Sequence, residues 1–221
     1  MGETILSPSF LSADFNIMGQ ELFDIEKAGA KWVHLDVMDG VFVPNITFGP
    51  PIIKALRKNS MLYFDTHLMI TEPKRYIKDF ADAGADLITI HSEATKDIEK
   101  TLAMIHEQGC KAGLSYNPET PIDGVEKYLP MLDMVLLMSV HPGFGGQKFI
   151  DITEKIKTLS AMAEQYRPGL MIEVDGGLNK ENIAAVCKAG ANVIVAGSSV
   201  FGQHDRKKAM SELIKATKEN I

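Results

Sequence analysis

One punctuation mark repeats along this 221-residue chain and constrains its fold more than any other feature. A helix-like stretch ends at glycine, and within about two residues a short apolar run begins, as a helix closed by a left-handed glycine and followed by a strand requires. The mark stands at Gly29, Gly84, Gly109 and Gly190. The runs after it cover Trp32 to Val37, Leu87 to His91, Lys111 to Tyr116 and Val193 to Gly197, each short and rich in Val, Ile and Leu, as strands buried on both faces are. Four further runs of the same kind lie at Ile5 to Phe10, Leu62 to Met69, Met134 to Val140 and Leu170 to Asp175. Helical segments fill the gaps, starting near Ile17, Pro50, Pro73, Thr95, Ile122, Ile150, Asn179 and Asp205, several of them opened by capping or first-turn residues. Eight β-then-α units with right-handed crossovers predict a parallel sheet closed into a single (β/α)8 TIM barrel spanning residues 1–221; an open doubly wound sheet is the alternative.

Composition narrows the function. Apolar residues make up 45% of the chain, enough for one sizeable core. No apolar run of roughly 18 residues is present, and Met1 to Ser9 has neither a basic segment nor a long apolar stretch, so a soluble, cytoplasmic protein is expected. Asp and Glu number 29 against 23 Lys and Arg, with no basic run longer than Arg206-Lys207-Lys208, which argues against nucleic acid and anionic membranes as partners. Cys110 and Cys187 are the only cysteines, too few for a disulfide framework and without thiolate-metal spacing. Both read as small buried hydrophobes.

In such barrels the reacting groups stand at the C-terminal ends of strands. Strand side chains alternate, so His34, Asp36 and Met38 share one face of the second strand, and Asp65, His67 and Met69 share one face of the third. The seventh strand ends Glu173-Val174-Asp175-Gly176-Gly177. A single buried His or Asp often only satisfies a backbone group. Two His and two Asp at strand ends form a ligand set for one divalent cation, Zn2+, Fe2+, Mn2+ or Co2+, with positions left for substrate oxygens.

Glycines end three consecutive strands: Gly143-Phe144-Gly145-Gly146 after the sixth, Gly176-Gly177 after the seventh and Gly197-Ser198 after the eighth. Each taken alone is an ordinary turn. Together, with a short extra helix from Ser198 to Gly202, they fit a phosphate site built from backbone amides. Met38, Met69 and Met138, three of twelve methionines, fall at strand ends where a thioether lines a site without donating a proton.

The segments Ser7-Pro8-Ser9-Phe10-Leu11-Ser12-Ala13-Asp14, His34-Leu35-Asp36-Val37-Met38-Asp39-Gly40, Phe42-Val43-Pro44-Asn45, Asp65-Thr66-His67-Leu68-Met69 and Met138-Ser139-Val140-His141-Pro142-Gly143-Phe144-Gly145-Gly146-Gln147 closely resemble the ribulose-phosphate 3-epimerase family. So do Glu173 to Gly177 and Ala196-Gly197-Ser198, and the resemblance covers essentially the whole chain. It implies a barrel of the ribulose-phosphate-binding type, a homo-oligomer, and one divalent metal per subunit held by His34, Asp36, His67 and Asp175. Asp36 and Asp175 would form the acid/base pair. Ser9 and His67 would contact substrate, the amides of Gly143 to Gly146, Gly176, Gly177, Gly197 and Ser198 would bind phosphate, and Met38, Met69 and Met138 would surround the reacting carbons. His141 and Val41 depart from the family pattern, which leaves the sugar open.

The chemistry implied is epimerisation at carbon 3 of a ketose phosphate through a 2,3-enediolate, with D-ribulose 5-phosphate as the expected substrate. A D-allulose 6-phosphate 3-epimerase is the alternative, needing identical chemistry and a slightly longer cavity. A decarboxylase of the orotidine-phosphate type would carry Asp-x-Lys-x-x-Asp, and Asp36-Val37-Met38-Asp39 lacks the Lys. A non-catalytic sugar-phosphate sensor would have no evident use for both acids.

Overall fold

The structure, a computed structural model, describes residues 4–218. Eight strands run in chain order: β1 (Ile5–Pro8), β2 (Trp32–Met38), β3 (Tyr63–Met69), β4 (Leu87–His91), β5 (Lys111–Tyr116), β6 (Met134–Met138), β7 (Met171–Asp175) and β8 (Val193–Ala196). Every pairing is parallel, in the order β1-β8-β7-β6-β5-β4-β3-β2. A parallel bridge between Ser9 and His34 joins the two ends of that order, so the sheet closes on itself as a barrel.

The helices α1 (Met18–Lys27), α2 (Pro50–Arg57), α3 (Ile77–Ala83), α4 (Ile98–Glu107), α5 (Thr153–Tyr166), α6 (Ile183–Ala189), α7 (Ser198–Phe201) and α8 (Arg206–Ala216) form the outer ring. Seven of the eight expected helical segments hold an α-helix, several starting a few residues late. The segment expected from Ile122 does not: the crossover from β5 to β6 has only two single 3₁₀ turns, Val125–Lys127 and Leu129–Met131. Pro121 and Pro130 bring no backbone N–H, and Gly124 sits at φ 79°, so no continuous ladder of i to i−4 bonds can form. Lys155 on α5 makes up part of the deficit, its ammonium donating to the carbonyls of Asn117, Pro118 and Thr120 at 3.0, 2.6 and 2.9 Å.

Strand periodicity divides the interior in two. Outward-facing Val33, Leu35, Phe64, Leu68, Ile88, Ile90, Leu114, Val135, Leu137, Val174 and Ile194 pack under helix residues such as Leu22, Ile25, Ile53, Phe80, Leu102, Ile105, Ile156 and Ile183 in one continuous core. Inside the barrel, Leu87, Met134 and Val193 plug the N-terminal end, packed against Ile5, Trp32, Tyr63 and Met171. Above that plug the inward positions turn polar: Ser7, His34, Asp65, Thr89 and Glu173, then Ser9, Asp36, His67, His91 and Ser115, all buried. An apolar floor beneath a polar upper interior directs the chemistry to the C-terminal mouth.

Candidate active site

The parallel register sets His34 beside Asp65 and Asp36 beside His67, one residue pair above the other on neighbouring strands. Both histidines are fully buried and Asp36 nearly so, while the Asp175 side chain at the end of β7 keeps 16% exposure. His34 Nε2 lies 3.3 Å from Asp36 Oδ1, 3.2 Å from His67 Nδ1 and 3.9 Å from Asp175 Oδ2. His67 Nδ1 lies 3.2 Å from Asp36 Oδ1. One ligand atom from each of the four residues falls within 4.8 Å of every other. A tetrahedron of ligands at the usual zinc distance has an edge of about 3.4 Å, so this spacing suits a divalent cation.

Asp36, His34 and His67 are each held from behind. Ser9 Oγ donates to Asp36 Oδ2 at 2.7 Å, leaving Oδ1 free toward the site. Thr47 Oγ1 donates to the Asp36 carbonyl at 2.6 Å and accepts from Met38 N–H at 3.1 Å, fixing the end of β2. His34 Nδ1 lies 2.6 Å from Asp65 Oδ2, and His67 Nε2 lies 2.8 Å from His91 Nε2. Below them Asp65 Oδ1 and both Glu173 oxygens are buried without a hydrogen-bond partner.

Electrostatics separates the two aspartates. Burial opposes ionisation of Asp36, but the charge of His34 and hydrogen bonds from His34 and His67 outweigh it and hold the carboxyl far below the usual range. Burial and the neighbouring Asp36 charge push Asp175 up to about 7. Burial drives Glu173 well above its ordinary value, with Asp65 adding to the shift. His34 is raised too, for a different reason: burial lowers its pKa, yet Asp65, Asp36 and Glu173 together bring it well above the ordinary histidine value. Four carboxyls thus converge where, among the described residues, the only balancing positive charge is an imidazole. A divalent cation fits that donor set in charge as well as in spacing.

Above the four ligand-type residues opens a cleft at the barrel mouth. Ser9, Asp36, Met38, Met69, Met138, Asp175 and the glycines at 143, 145, 146, 176, 177 and 197 line it together with Phe144 and Ser198. No Lys or Arg is among its lining residues, so an anion entering it would meet backbone amides and the Ser and Gln side chains. The Pro142 to Gln147 loop is tied down: Asn45 Nδ2 donates to the Gly143 carbonyl at 2.8 Å, and Gln147 Nε2 donates to the carbonyls of His141 and Phe144 at 2.6 and 2.9 Å.

Comparison with known proteins gives this arrangement a lineage, since the sequence model of the Ribulose-phosphate 3 epimerase family matches residues 5–201. The chain belongs to that family. It is 55% identical over 210 residues to the ribulose-phosphate 3-epimerase of Bacillus subtilis, covering 94% of this chain and 97% of that protein. To the enzyme of that name from Escherichia coli K12 it is 44% identical over 215 residues, covering 96% of each. Solved structures share the fold: KGPDC from Streptococcus mutans superimposes with a TM-score of 0.71 at 14% identity over 98% of both chains, and orotidine 5′-phosphate decarboxylase from Pyrococcus horikoshii with 0.68 at 12% identity over 97% of this chain and 99% of that one. Family membership makes the chain an epimerase, an isomerase by class.

The residues expected to hold metal, substrate and phosphate gather at this one mouth, with a division that alternation alone did not reveal. His34 and His67 lie beneath the cleft floor, outside its lining, while the methionines and glycines form its walls. His141 and Val41, the two positions that depart from the family pattern, are 65% and 76% exposed and do not line the cleft. His91 and Glu93 escaped the sequence reading, although His91 ends β4 on the face that carries Thr89, the same signal that marked His67. Ser12 and Gln147 also line the cleft, and strand alternation could not have marked them, because Ser12 ends a single 3₁₀ turn and Gln147 lies on irregular backbone.

Proposed function

We propose that the chain interconverts D-ribulose 5-phosphate and D-xylulose 5-phosphate by moving the proton on carbon 3 between two aspartates. The observation that carries this reading is that Asp36 and Asp175 both line the cleft from separate strands, β2 and β7, with the Ser9 hydroxyl orienting the Asp36 carboxylate at 2.7 Å. Epimerisation needs a base on one face of the sugar and an acid on the other, and one shared proton supplies both. Asp36 takes the carbon 3 proton while Asp175 delivers its own to the opposite face of the planar 2,3-enediolate. In the reverse direction the roles exchange.

His34, Asp36, His67 and Asp175 would hold Zn2+, Fe2+, Mn2+ or Co2+, which when bound supplies Lewis-acid stabilisation of the charge that develops on substrate oxygens 2 and 3. The remaining residues bind and shield. Met38, Met69 and Met138 are 3%, 1% and 1% exposed, and their thioethers offer no proton to a carbanion-like intermediate. The amides of Gly143 to Gly146, Gly176, Gly177, Gly197 and Ser198 would hold the phosphate at the far side of the cleft, where its binding energy fixes the sugar between the acids. The loop tied by Asn45 and Gln147 then keeps water from the intermediate.

Solvent isotope tests the two-acid assignment. In deuterium oxide, the first turnover should place deuterium on carbon 3 of the product while recovered substrate stays nearly free of it. Asp36→Asn and Asp175→Asn should each suppress epimerisation by roughly a hundredfold or more, as removal of a general acid or base does. Metal content is measured in every sample because each Asp is also a proposed ligand. A metal-replete Asn variant with near-wild-type epimerisation would remove that aspartate from the proton path.

A further inference from the structure

His91 and Glu93 have no place in the chemistry so far, yet both are wired to it. His91 is fully buried at the end of β4, its ring nearly coplanar with that of His67, with centroids 4.9 Å apart and planes 25° from parallel. Its Nε2 faces His67 Nε2 at 2.8 Å and its Nδ1 faces Glu93 Oε2 at 3.2 Å. The other Glu93 oxygen accepts from the Asn117 backbone N–H at 2.9 Å and from the Thr120 hydroxyl. Neither His91 nor Glu93 lines the cleft.

We propose that Glu93 and His91 form a tautomer relay that positions His67 for metal binding. This rests on the metal reading given above, in which His67 turns Nδ1 toward Asp36 and His34. To ligate through Nδ1, the imidazole must keep that nitrogen unprotonated and carry its proton on Nε2. Two facing nitrogens at 2.8 Å share one proton, so His91 must then accept on Nε2 and carry its own proton on Nδ1. That proton needs an acceptor, which Glu93 Oε2 supplies. Glu93 is therefore the fixed end of the chain: a carboxylate can only accept, and its second oxygen is already occupied by a backbone donor that cannot reverse. His34 receives the same instruction in one step, with Asp65 against its Nδ1, whereas His67 receives it through an intervening ring.

The relay makes a prediction that a purely structural role does not. In Glu93→Gln the amide oxygen must stay on the Asn117 N–H, which turns the NH2 group toward His91 Nδ1 and reverses every hydrogen bond in the chain. Protonation of His67 would move to Nδ1, the ligating atom. Glu93→Ala removes the instruction but leaves room for water to accept from His91, while it also loses the bonds to Asn117 and Thr120. Zinc affinity, measured by competition with a chromogenic chelator, should therefore fall about tenfold or more in Glu93→Gln, within the range of effects seen for groups behind metal ligands, and fall less in Glu93→Ala. Melting temperature should rank the two variants the other way. Adding Glu93→Gln to His91→Leu should cost no further affinity, because the messenger is gone. In zinc-loaded wild type, nitrogen-15 spectra should find the His91 proton on Nδ1 and the His67 proton on Nε2, a reading that needs no variant to fold. Equal or greater zinc loss in Glu93→Ala, or the opposite tautomers, overturns the relay while leaving the metal site standing. A wild-type protein that binds no divalent metal overturns both.

Discussion

Gly197→Ala and Gly177→Ala should fail in different ways, and the contrast tests whether glycine at the cleft serves the ligand or the fold. Gly197 has φ −92°, open to any residue, and a β-carbon built on it would stand 2.5 Å from Ser12 Oγ and 3.6 Å from Ser9 Cβ. A hydroxyl can rotate aside, so the expected stability cost is under about 1 kcal/mol, but the added methyl occupies the wall where phosphate would approach. Loss of one charge-assisted amide bond is worth about 1.5–3 kcal/mol, or roughly a tenfold to hundredfold rise in KM with kcat little changed. Gly177 differs in both respects: it sits at φ 64°, and its added carbon would meet the backbone of Phe149 and the Gln147 carbonyl. Left-handed strain and overpacking against backbone sum to about 2–5 kcal/mol, a drop in Tm of roughly 5–15 °C for a chain of this size. Steady-state kinetics with a coupled ketose-phosphate assay, beside thermal melts, reads both effects. Lys148→Ala, an exposed cation outside the cleft lining, is the control and should leave KM within about twofold. Unchanged KM in Gly197→Ala together with a raised KM in Lys148→Ala would refute the amide cradle.

Two further outcomes are expected. His67→Ala should lose tightly bound metal and drop kcat by roughly a hundredfold or more while circular dichroism stays that of the folded barrel, and unchanged metal stoichiometry would sink the ligand assignment. Burial holds His91 neutral, its pKa lowered to about 4, so between pH 6.5 and 4 the unfolded chain binds more protons and the stability of the metal-free protein falls as pH falls. Asp175, raised to about 7, acts in the opposite sense over the same window, so the test is a difference: from pH 6.5 to 5 wild type should lose roughly 1–2 kcal/mol more than His91→Gln in denaturant titrations, and equal losses would place a charged His91 in the folded state.

The fold was legible because its signals are local. A glycine that ends a helix acts within one turn, and the glycine-marked runs coincide with β2, β4, β5 and β8 to within a residue. Where local chemistry was misread, the fold departed from expectation. The apolar residues Ile122, Val125 and Leu129 do turn inward, as helical spacing suggests, but they do so from 3₁₀ turns. Pro121, Gly124 and Pro130 outweigh the periodicity because each removes a backbone condition that apolar spacing cannot restore. The β5–β6 crossover keeps its packing and loses its helix.

The site was legible to the depth of one strand and no further. Alternation places His34, Asp36 and Met38 on one face of β2, yet it says nothing about which neighbour each meets, since that depends on the stagger between strands. Register supplies the missing half: Asp36 beside His67, His34 beside Asp65, and Ser9 bridged to His34 across the closure. From these follow the Ser9 bond that orients Asp36 and the Asp65 bond that orients His34. Glu173 shows the limit most clearly. Its parity with Asp175 was readable, but a buried carboxyl without a hydrogen-bond partner and with a raised pKa exists only once the barrel has closed around it. That closure makes the floor of the site electrically expensive to leave without a cation. Asp175, which burial and the Asp36 charge also push up, is at once a carboxyl that costs stability in the metal-free barrel and one of the four residues that would hold a divalent ion.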